Sequence, residues 1–384
     1  MTHFCLDNAE KSKVILFGCG FWGIAIAYVL EHIGFEVVMG MDNDCKKHGT
    51  LLWNHIPCNK PQLYDDKLAV ILTVENEDIK KILENQCKNM GYQYIYDIEK
   101  KDIESYMEKM PDDDYLVLQY CLRSGGKYLD LKNPITFNEK LQWLKLYDRK
   151  QEYKLYVDKF EAKRVVGAKI GEEYIIPTIG VWNNVDEIDF DKMPGQYVLK
   201  CTHDSGSVVI CNDKYTFDCE EAKNHLRTCL ETDYYISQRE WVYKDITPRV
   251  MAEVYMTNSD GNPPFDYKIF CFNGEPKLIQ VDYDRFKKHE RNVYTTDWER
   301  VDVDVFLDFE TNRKRIDRKV EQLDAMLNIA KKLSEGIPFV RVDLYIVQEK
   351  IYFGEMTFYP GAGHSESSDH ELEKQMGDWI TLSK

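Results

Sequence analysis

The chain lacks the features of a nucleic-acid-binding, membrane-spanning or disulfide-stabilised protein. Its formal net charge is −16 over 384 residues, whereas binding to a phosphate backbone depends on clustered Lys and Arg. No apolar run approaches the roughly 20 residues that a membrane-spanning helix needs. The 11 cysteines include no CxxC pair, so neither a disulfide framework nor a zinc site is indicated. We therefore expect a cytoplasmic protein with reduced thiols, without a nucleic-acid partner and without insertion into a membrane.

The sequence also lacks an internal repeat and a P-loop, since no GxxxxGK[ST] segment occurs. Its apolar content of 43% is sufficient for substantial cores. At roughly 100 to 200 residues per domain, a chain of this length predicts two or three domains. We expect an α/β and α+β protein with a small Rossmann-like domain over 1–100, a linker over 101–114 and a larger domain over 115–384. The charged stretch from Asp97 to Asp114 indicates a helix as well as this linker.

The first domain contains a glycine-rich turn between a predicted strand and a predicted helix. The segments KVILF, GCGFWG and IAIAYVLEHI place Gly18, Gly20 and Gly23 in a GxGxxG pattern. Asp42 follows roughly 20 residues later, where a ribose-binding acid would lie. Only about one more strand and helix follow, which is short for a full dinucleotide fold. A nucleotide site at these four residues is one interpretation. Glycines that only allow close helix–strand packing, in a domain that binds a nucleotide sugar or nothing, are the other.

Two strands near the C-terminus carry a candidate metal site. FVRVDLYIV and IYFGEMTFYPGAG both alternate and are rich in β-branched and aromatic residues, so they predict a hairpin with Asp343 and Glu355 on one face. Magnesium prefers oxygen ligands and usually takes one or two carboxylates, waters and substrate phosphates. Arg341 points to the same side and offers a planar fork for phosphate oxygens. An ordinary hairpin with exposed acids is the alternative.

The stretch QYVLKCTHDSGSVVICND predicts a strand that ends in Lys200, a loop from His203 to Ser207 and a second strand. Such a loop can lay backbone N–H groups and small hydroxyls over phosphate oxygens, with the lysine as a point charge beside them. As an isolated motif the loop is a weak indication, because Ser-Gly turns between strands are common.

A third group of polar residues lies in predicted secondary structure. Lys159 and Lys163 belong to a helix whose charges, taken alone, indicate only a solvated face. Glu253 interrupts the apolar strand RVMAEVYM, which costs free energy unless the carboxylate meets a donor, and the exocyclic amine of adenine is such a donor. The next strand, DYKIFCF, carries Asp266 and Lys268.

The order of these parts is familiar. Residues from about 115 to 384 resemble the ATP-grasp superfamily, and specifically its TupA-like branch, which is associated with teichuronopeptide and other surface polysaccharides and is often labelled glycosyltransferase. The resemblance is carried by an ordered set of segments: TFNEKLQWLKLYDR, IGEEYIIP, VLKCTHDSG, PRVMAEVYM, DYKIFCFNGEPK, FVRVDLY and IYFGEMTFYPGAG. It implies an ATP-grasp fold with a lid at about 185–250. The N-terminal hundred residues lie outside it.

The resemblance also implies an ATP site, in which lysines contact the α and β phosphates, the serine-glycine loop closes over them, Glu253 with neighbouring backbone holds adenine and Asp266 meets the ribose. The ATP-binding residues implied in this way are Lys159, Lys200, His203, Ser205, Gly206, Ser207, Glu253, Val254, Met256 and Asp266.

The catalytic and metal-binding residues follow from the same resemblance. Lys268 would face the γ-phosphate or the carboxylate substrate, and Arg341 would steady the transferring phosphate. Asp343, Glu355 and Thr357 would ligate Mg²⁺. The threonine is a departure, since superfamily members commonly have asparagine there, and it makes binding of two metals less certain.

The implied activity is that of an ATP-dependent carboxylate–amine ligase with ATP and Mg²⁺ as cofactors. Its small-molecule partners would be an amine, such as an amino acid, and a uronic acid or nucleotide-sugar acid destined for a capsular or cell-wall polysaccharide. A small-molecule kinase and a glycosyltransferase are alternatives. The one candidate for the DxD motif of a glycosyltransferase is DVDVF at Asp302. The sequence leaves open whether the protein is a homo-oligomer.

Overall fold

In the computed structural model, the described residues are 2–4, 6, 12–53, 55–124, 127–259, 261–283, 289–301, 310–311, 318–365, 367 and 369–383. They belong to two compact units, Met1–Asp130 and Leu131–Lys384. Among these residues, none of the helices combines the length and apolarity needed to cross a membrane. The DVDVF segment at Asp302 lies outside the described residues.

The first unit is built on a seven-stranded sheet with the strand order β1-β7-β6-β2-β3-β5-β4. All neighbouring strands are parallel except β4, which runs antiparallel to β5. The strands are β1 (Thr2–His3), β2 (Lys13–Phe17), β3 (Glu36–Met41), β4 (Leu51–Trp53), β5 (Ile56–Asn59), β6 (Ala69–Leu72) and β7 (Ile95–Asp97). The helices are α1 (Phe21–His32), α2 (Glu77–Met90), α3 (Lys100–Lys109) and α4 (Asp112–Arg123).

The central strands of this sheet are almost wholly apolar, because helices cover both of their faces. In β2, the side chains of Val14, Ile15, Leu16 and Phe17 are all buried. Strands of this kind do not alternate in sequence, which is why the KVILF segment predicts a strand of a parallel sheet.

The expected linker over 101–114 is mostly helical. It falls within α3 and the beginning of α4. In α3, Ile103 and Met107 are buried one turn apart, so the many charges of this segment cover only its outer face. The chain instead divides into its two units between Asp130 and Leu131.

The second unit contains a large and a small sheet. Its helices are α5 (Phe137–Tyr147), α6 (Tyr153–Val157), α7 (Lys159–Ile170), α8 (Cys219–Glu231), α9 (Tyr234–Gln238), α10 (Leu323–Ser334) and α11 (His370–Asp378). Its strands are β8 (Thr178–Trp182), β9 (Tyr197–Cys201), β10 (Val209–Cys211), β11 (Val250–Val254), β12 (Asp266–Phe272), β13 (Glu275–Tyr283), β14 (Glu290–Thr295), β15 (Arg300–Val301), β16 (Glu310–Thr311), β17 (Phe339–Val347) and β18 (Lys350–Thr357).

The small sheet has the antiparallel order β10-β9-β11-β8. It has a hydrophobic core of its own, to which α8 contributes Leu226 and the strands contribute Leu199 and Val250. Because these side chains pack among themselves, the small sheet is a distinct subdomain of the second unit. Its elements lie between Thr178 and Val254, and the lid was expected at about 185–250.

The large sheet has the order β15-β14-β13-β12-β17-β18, with β16 parallel to β14. Helix α10 packs on it through Leu323, Met326 and Leu333. Helix α5 begins with a capping box: the Glu139 N–H donates to Thr136 Oγ1 at 3.4 Å, and Glu139 Oε2 accepts from the Thr136 N–H at 3.0 Å. The site described next lies on the polar face of this sheet.

Candidate functional site

The two C-terminal strands bring the predicted acids together. Asp343 on β17 lies directly opposite Glu355 on β18, so both side chains are on one face of the sheet. Just beyond this pair the register shifts: Leu344 faces Phe353, which leaves Gly354 as an extra residue. A Cβ at Gly354 would lie 2.8 Å from the ring of Tyr345 and 3.0 Å from the Asp343 carbonyl oxygen. This bulge therefore requires glycine.

Arg341 is the positively charged residue that contacts both acids. Its Nε and Nη2 each donate to one oxygen of Asp343 at 2.7 Å, the bidentate geometry that makes such pairs strong. Its Nη2 also lies 3.0 Å from Thr357 Oγ1 and 3.7 Å from Glu355 Oε1. All three predicted metal ligands are thus grouped around one guanidinium.

The two acids differ in their electrostatics. Burial raises the pKa of Asp343, and Arg341 offsets this only in part. Burial would also raise the pKa of Glu355, but the positive charges of Arg341 and then Lys159 outweigh this effect and lower the pKa. Glu355 therefore ionises more readily than Asp343, and half of its side chain is exposed.

The oxygens of Asp343, Glu355 and Thr357 fit Mg²⁺, provided that water and substrate phosphates complete its coordination. In the part of the chain that the structure describes, no group of three or more His, Cys, Asp and Glu side chains is placed to hold a metal alone. A metal ion bound at Asp343 would compete with Arg341 for the carboxylate oxygens. The guanidinium N–H groups displaced in this way would be available to phosphate oxygens.

Lys268 lies next to this group, because β12 pairs with β17 and sets Lys268 opposite Asp343. Its Nζ lies 2.5 Å from Oδ2 of Asp282 on β13. Asp282 Oδ1 accepts from Arg291 Nε and from Gln280 Nε2, both at 2.9 Å. Burial would raise the pKa of Asp282, but Lys268 and Arg291 lower it far below its usual range. One buried carboxylate thus fixes the predicted catalytic lysine.

Asp282 is not among the site residues predicted from the sequence, although the sequence contains a pattern that could have identified it. It interrupts the apolar strand LIQVDY in the same way that Glu253 interrupts its own strand. Both acids therefore call for a partner under the same physical rule.

A cavity of about 240 Å³ lies between the small sheet and the large one. Five predicted ATP-binding residues line it: Lys200, Glu253, Val254, Met256 and Asp266. Its apolar walls include Ile176, Val198 and Ile210. An apolar slot with a few polar groups at its edge suits a flat base such as adenine.

Within this cavity, Glu253 holds two lysines. Oε1 is ion-paired with Lys200, and Oε2 lies 2.8 Å from the Nζ of Lys163. Burial would raise the pKa of Glu253, but Lys200 and Lys163 lower it, so the carboxylate is ionised. Burial lowers the pKa of Lys163. Lys163 is not among the predicted residues; its spacing of four from Lys159 places both on one face of α7.

The backbone of Val254 is only partly available to a base. Its N–H donates to the carbonyl oxygen of Pro177 at 3.1 Å. Any contact from adenine to Val254 would therefore use its carbonyl oxygen, while Met256 follows the strand and lines the cavity.

The loop between β9 and β10 is held from inside. The Ser207 hydroxyl donates to Asp204 Oδ1 at 2.6 Å and accepts from the Cys201 N–H at 2.8 Å. Lys159 reaches the same loop, with its Nζ 3.0 Å from the Cys201 carbonyl oxygen and 3.3 Å from Asp204 Oδ1. Ser207 therefore shapes the loop instead of offering its hydroxyl to a phosphate.

At the tip of this loop, Ser205 and Gly206 are exposed, and Gly206 has a φ of +103° that glycine adopts without strain. Their backbone is thus placed to approach a ligand, as the sequence predicts for this pair.

His203 is the buried polar side chain of the loop that has no protein partner. It is 4% exposed, and neither Nδ1 nor Nε2 has a hydrogen-bond partner among the described residues. Leaving a buried polar group unpaired costs free energy. A phosphate oxygen from a nucleotide would satisfy it, which is the role predicted for this residue.

The glycines of the first unit serve packing. A Cβ at Gly23 would lie 2.0 Å from the Gly18 carbonyl oxygen, so α1 can begin this close to the turn only with glycine at Gly23. Asp42 is engaged by the protein itself: its carboxylate accepts from the Cys19 N–H at 2.6 Å, the Asp44 N–H at 2.8 Å and Lys47 Nζ at 3.0 Å. Gly20 lies nearest to Lys47. This geometry favours the packing interpretation of the motif.

None of the curated proteins matches the chain. Among solved structures, D-alanine–D-alanine ligase from Bacillus anthracis complexed with ATP is 12% identical, with a TM-score of 0.35, over 97% of this chain and 95% of the other. N5-carboxyaminoimidazole synthetase from Staphylococcus aureus complexed with ADP is 12% identical, with a TM-score of 0.32, over 90% of this chain and 69% of the other.

The family model described as TupA-like ATPgrasp matches residues 139–381. This range is well over half of the chain. It contains the whole cleft described above, from Lys159 on α7 to Thr357 at the end of β18. The chain therefore belongs to the TupA-like ATP-grasp family.

Proposed function

We propose that the protein is an ATP-dependent ligase that joins a carboxylate to an amine through an acyl phosphate. The observation that carries this proposal is the shared sheet face of Asp343, Glu355, Arg341 and Lys268. The adjacent pair, Asp266 and Tyr345, lines the nucleotide-sized cavity. A nucleotide with its base in that cavity would extend its phosphates towards the acids and cations.

The chemistry proposed for this cleft is phosphoryl transfer followed by acyl transfer. A carboxylate oxygen of the acid forms a bond to the γ-phosphorus while the bond to the β–γ bridging oxygen breaks, which yields ADP and an acyl phosphate. The amine nitrogen then attacks the acyl carbon, with loss of a proton, and inorganic phosphate leaves. Positioning and charge neutralisation provide most of the catalysis in reactions of this class.

The residues have distinct roles in this proposal. Lys159 and Lys200 bind the α and β phosphates. Asp282, which also accepts from Arg291, positions Lys268 at the γ-phosphate, and Arg341 neutralises the transferring group. Mg²⁺, when bound by Asp343, Glu355 and Thr357, supplies further neutralisation of the triphosphate. The loop at His203 excludes water, which protects an acyl phosphate from hydrolysis.

The substrates we propose are a uronic acid or nucleotide-sugar acid and an amino acid or other amine, for a capsular or cell-wall polysaccharide. The support is membership of the TupA-like branch. We also propose that the first unit is Rossmann-like, which its parallel strand order supports. Because Asp42 is engaged by Cys19, Asp44 and Lys47, a nucleotide sugar bound there would have to contact Gly18, Gly20 and Gly23 without help from that carboxylate.

The proposal is tested by the release of ADP and phosphate from purified protein, screened against paired panels of uronic acids and amines. A ligase releases ADP only when both an acid and an amine are present, and the product is an amide. A stable phosphorylated product from a single substrate would identify a kinase instead. Transfer of a sugar from a nucleotide sugar, without ADP release, would identify a glycosyltransferase.

The matched variants for this test are both carboxylate-to-amide changes. Asp343→Asn should abolish turnover, because the acid pair loses one of its two charges. Asp324→Asn, on an exposed face of α10, should leave turnover unchanged. Unaltered turnover in Asp343→Asn would rule out the proposed site.

A further inference from the structure

The first unit contains a cavity of about 400 Å³ whose lining includes none of the glycines of the GxGxxG motif. It lies at the carboxyl ends of β6 and β7, beside the first turns of α1 and α3. Trp22, Thr73, Lys80, Asp97, Lys100 and Ile103 are among the residues that line it. Neither the family match nor the proposed ligase chemistry assigns a function to this cavity.

The position of the cavity is the one that open parallel sheets use for ligands. From β2 the chain crosses to β3 on one side, whereas β6 pairs with β2 on the other. The connections that leave β2 and β6 therefore diverge, and a crevice opens between them at the carboxyl ends of the strands. Ligands of such sheets bind in this crevice. Trp22 follows β2, and Thr73 follows β6.

Lys80 is the buried charged side chain of the cavity lining, which also contains Lys100, Lys101 and the acids Glu75, Glu77, Asp97 and Glu99. The Lys80 side chain is only 8% exposed, and its Nζ lies 2.8 Å from Glu77 and 3.5 Å from Asp97. The Glu77 carboxylate is 70% exposed, so a ligand in the cavity can reach its contact with Lys80. The contact to Asp97 is long for a charged hydrogen bond. A ligand anion would therefore compete with Glu77 for Lys80.

The helix ends add to the positive potential of the lysines in this lining. The N-caps of α1 and α3 are Gly20 and Glu99, and neither makes a side-chain capping bond. By contrast, Asn76 caps α2 by accepting from the Asp78 and Ile79 N–H groups. The first N–H groups of α1 and α3 thus add partial positive charge at this end of the sheet.

The remaining walls suit a ring that carries hydroxyl groups. Trp22 is half-buried and lines the cavity together with Ile26 and Ile103, and Lys100 Nζ lies over its ring, 4.9 Å from the centroid. Aromatic faces pack against the C–H faces of sugar rings, and carboxylates accept hydrogen bonds from their hydroxyls. Asp97 provides such a carboxylate next to the buried lysine.

We propose that this cavity binds a sugar or similar polyhydroxylated ring that bears a carboxylate or a phosphate. The acidic group lies at Lys80, the hydroxyls at Asp97 and the ring on Trp22. The site differs from the one at Gly18, Gly20, Gly23 and Asp42, and its occupation requires neither ATP nor turnover.

The test is isothermal titration calorimetry of the full chain without ATP. The probes are D-glucuronate, D-glucose 1-phosphate and neutral D-glucose, so that carboxylate, phosphate and uncharged rings are compared. At least one acidic probe should bind, and glucose should bind about tenfold more weakly or not at all, because it lacks the charged hydrogen bond. Lys80→Gln should weaken the acidic probe by about tenfold or more.

The control is Lys81→Gln, on the same helix with a side chain that is 71% exposed; it should bind like the wild type. Trp22→Ala should weaken binding while Trp22→Phe restores it, and this pair tests the site even if Lys80→Gln unfolds. Absence of binding by both acidic probes would overturn the proposal. So would binding that survives Lys80→Gln and Trp22→Ala but is lost in Arg341→Gln, which would place the probe in the second unit. The ligase proposal is unaffected by either result, because it depends on ADP release.

Discussion

Asp282 shows how much one buried carboxylate controls. It bridges Lys268 and Arg291 from opposite oxygens and is itself fully buried. Removing the charge would leave two cations without their shared anion, a change that costs several kcal/mol in comparable buried networks, about 3 to 5. Lys268 would then lose the contact that sets its position on the sheet face.

We predict that Asp282→Asn lowers kcat for ADP release by about 100-fold or more, with a smaller effect on KM for ATP, because the proposed role of Lys268 is at the γ-phosphate. Single-turnover and steady-state assays separate these effects. Asp324→Asn is the matched control. An equal loss in kcat and in folded fraction, measured by circular dichroism, would indicate a purely structural role for Asp282.

His203 leads to a different prediction, because its ring nitrogens lack partners. His203→Phe removes an unsatisfied polar group and should leave the unfolding temperature unchanged or raised without nucleotide. The same variant should lose most of the stabilisation that Mg·ATP confers. Thermal-shift assays with and without nucleotide measure both. A normal nucleotide-dependent shift in His203→Phe would contradict a phosphate contact.

Glu240 titrates in an unusual range. Burial raises its pKa to about 7, with Lys145 acting in the opposite direction. A carboxyl whose pKa is raised on folding holds its proton in the folded state, so its ionisation opposes folding as the pH rises from about 4 to about 7. We predict that Glu240→Gln flattens the fall in unfolding temperature between pH 5 and pH 8. Differential scanning fluorimetry at each pH, with Glu231→Gln as an exposed control, checks the slope; parallel curves would contradict the prediction.

At the residue scale, sequence patterns predict individual acids and miss their partners. Asp343 and Glu355 were predictable because alternation within two strands fixes their common face. The pairing of Glu253 with Lys163 and Lys200 was not, since it joins residues 90 and 53 positions apart that only the folded lid brings together. Interactions of this kind depend on tertiary packing and have no local signature.

Among the elements, the β17–β18 hairpin depends on one glycine. Gly354→Ala would place a methyl group 2.8 Å from the Tyr345 ring and 3.0 Å from the Asp343 carbonyl oxygen. We predict a loss of about 1 to 3 kcal/mol in the free energy of unfolding, together with a large loss of turnover as Glu355 turns away from Asp343. Denaturant titration and the ADP-release assay measure the two effects.

The control for that variant is Gly195→Ala, at a position where an added Cβ meets nothing within 4 Å. It should change neither stability nor turnover appreciably. Full activity in Gly354→Ala would show that the bulge does not set the geometry of the acid pair.

Elements with a strong local pattern are predictable, and those whose charge conceals a pattern are not. The capping box at Thr136 predicts the beginning of α5 correctly. The segment over 101–114 was expected to be a linker because of its charges, yet Ile103 and Met107 bury one stripe of α3. A periodicity of 3.6 residues was present there in only three apolar positions, Ile103, Met107 and Met110, too few to outweigh the composition.

For the whole molecule, the two compact units have separate cores, and the small sheet of the second unit has another. A ligand of the second unit should therefore stabilise it without protecting the first. We predict that Mg·ATP slows amide hydrogen exchange in β9, β11 and β18 and leaves β2 and β6 unchanged. Protection spread evenly over both units would contradict this division.

Removing Mg²⁺ in the same hydrogen-exchange experiment tests whether the acid pair binds the metal. Excess chelator should abolish the slowing in β18, where Glu355 and Thr357 lie, while part of the slowing in β9 and β11 persists through the base-binding cavity. Equal protection with and without chelator would show that the acid pair does not bind metal with the nucleotide.

The bidentate contact between Arg341 and Asp343 has a consequence for the order in which ligands arrive. A free divalent ion must compete with a guanidinium for the same two oxygens, whereas an ion delivered with a triphosphate brings the oxygens that the guanidinium needs in exchange. We therefore expect the cleft to select the metal–nucleotide complex over the bare ion, and a change in the concentration of free magnesium alone should leave the contact between Arg341 and Asp343 in place.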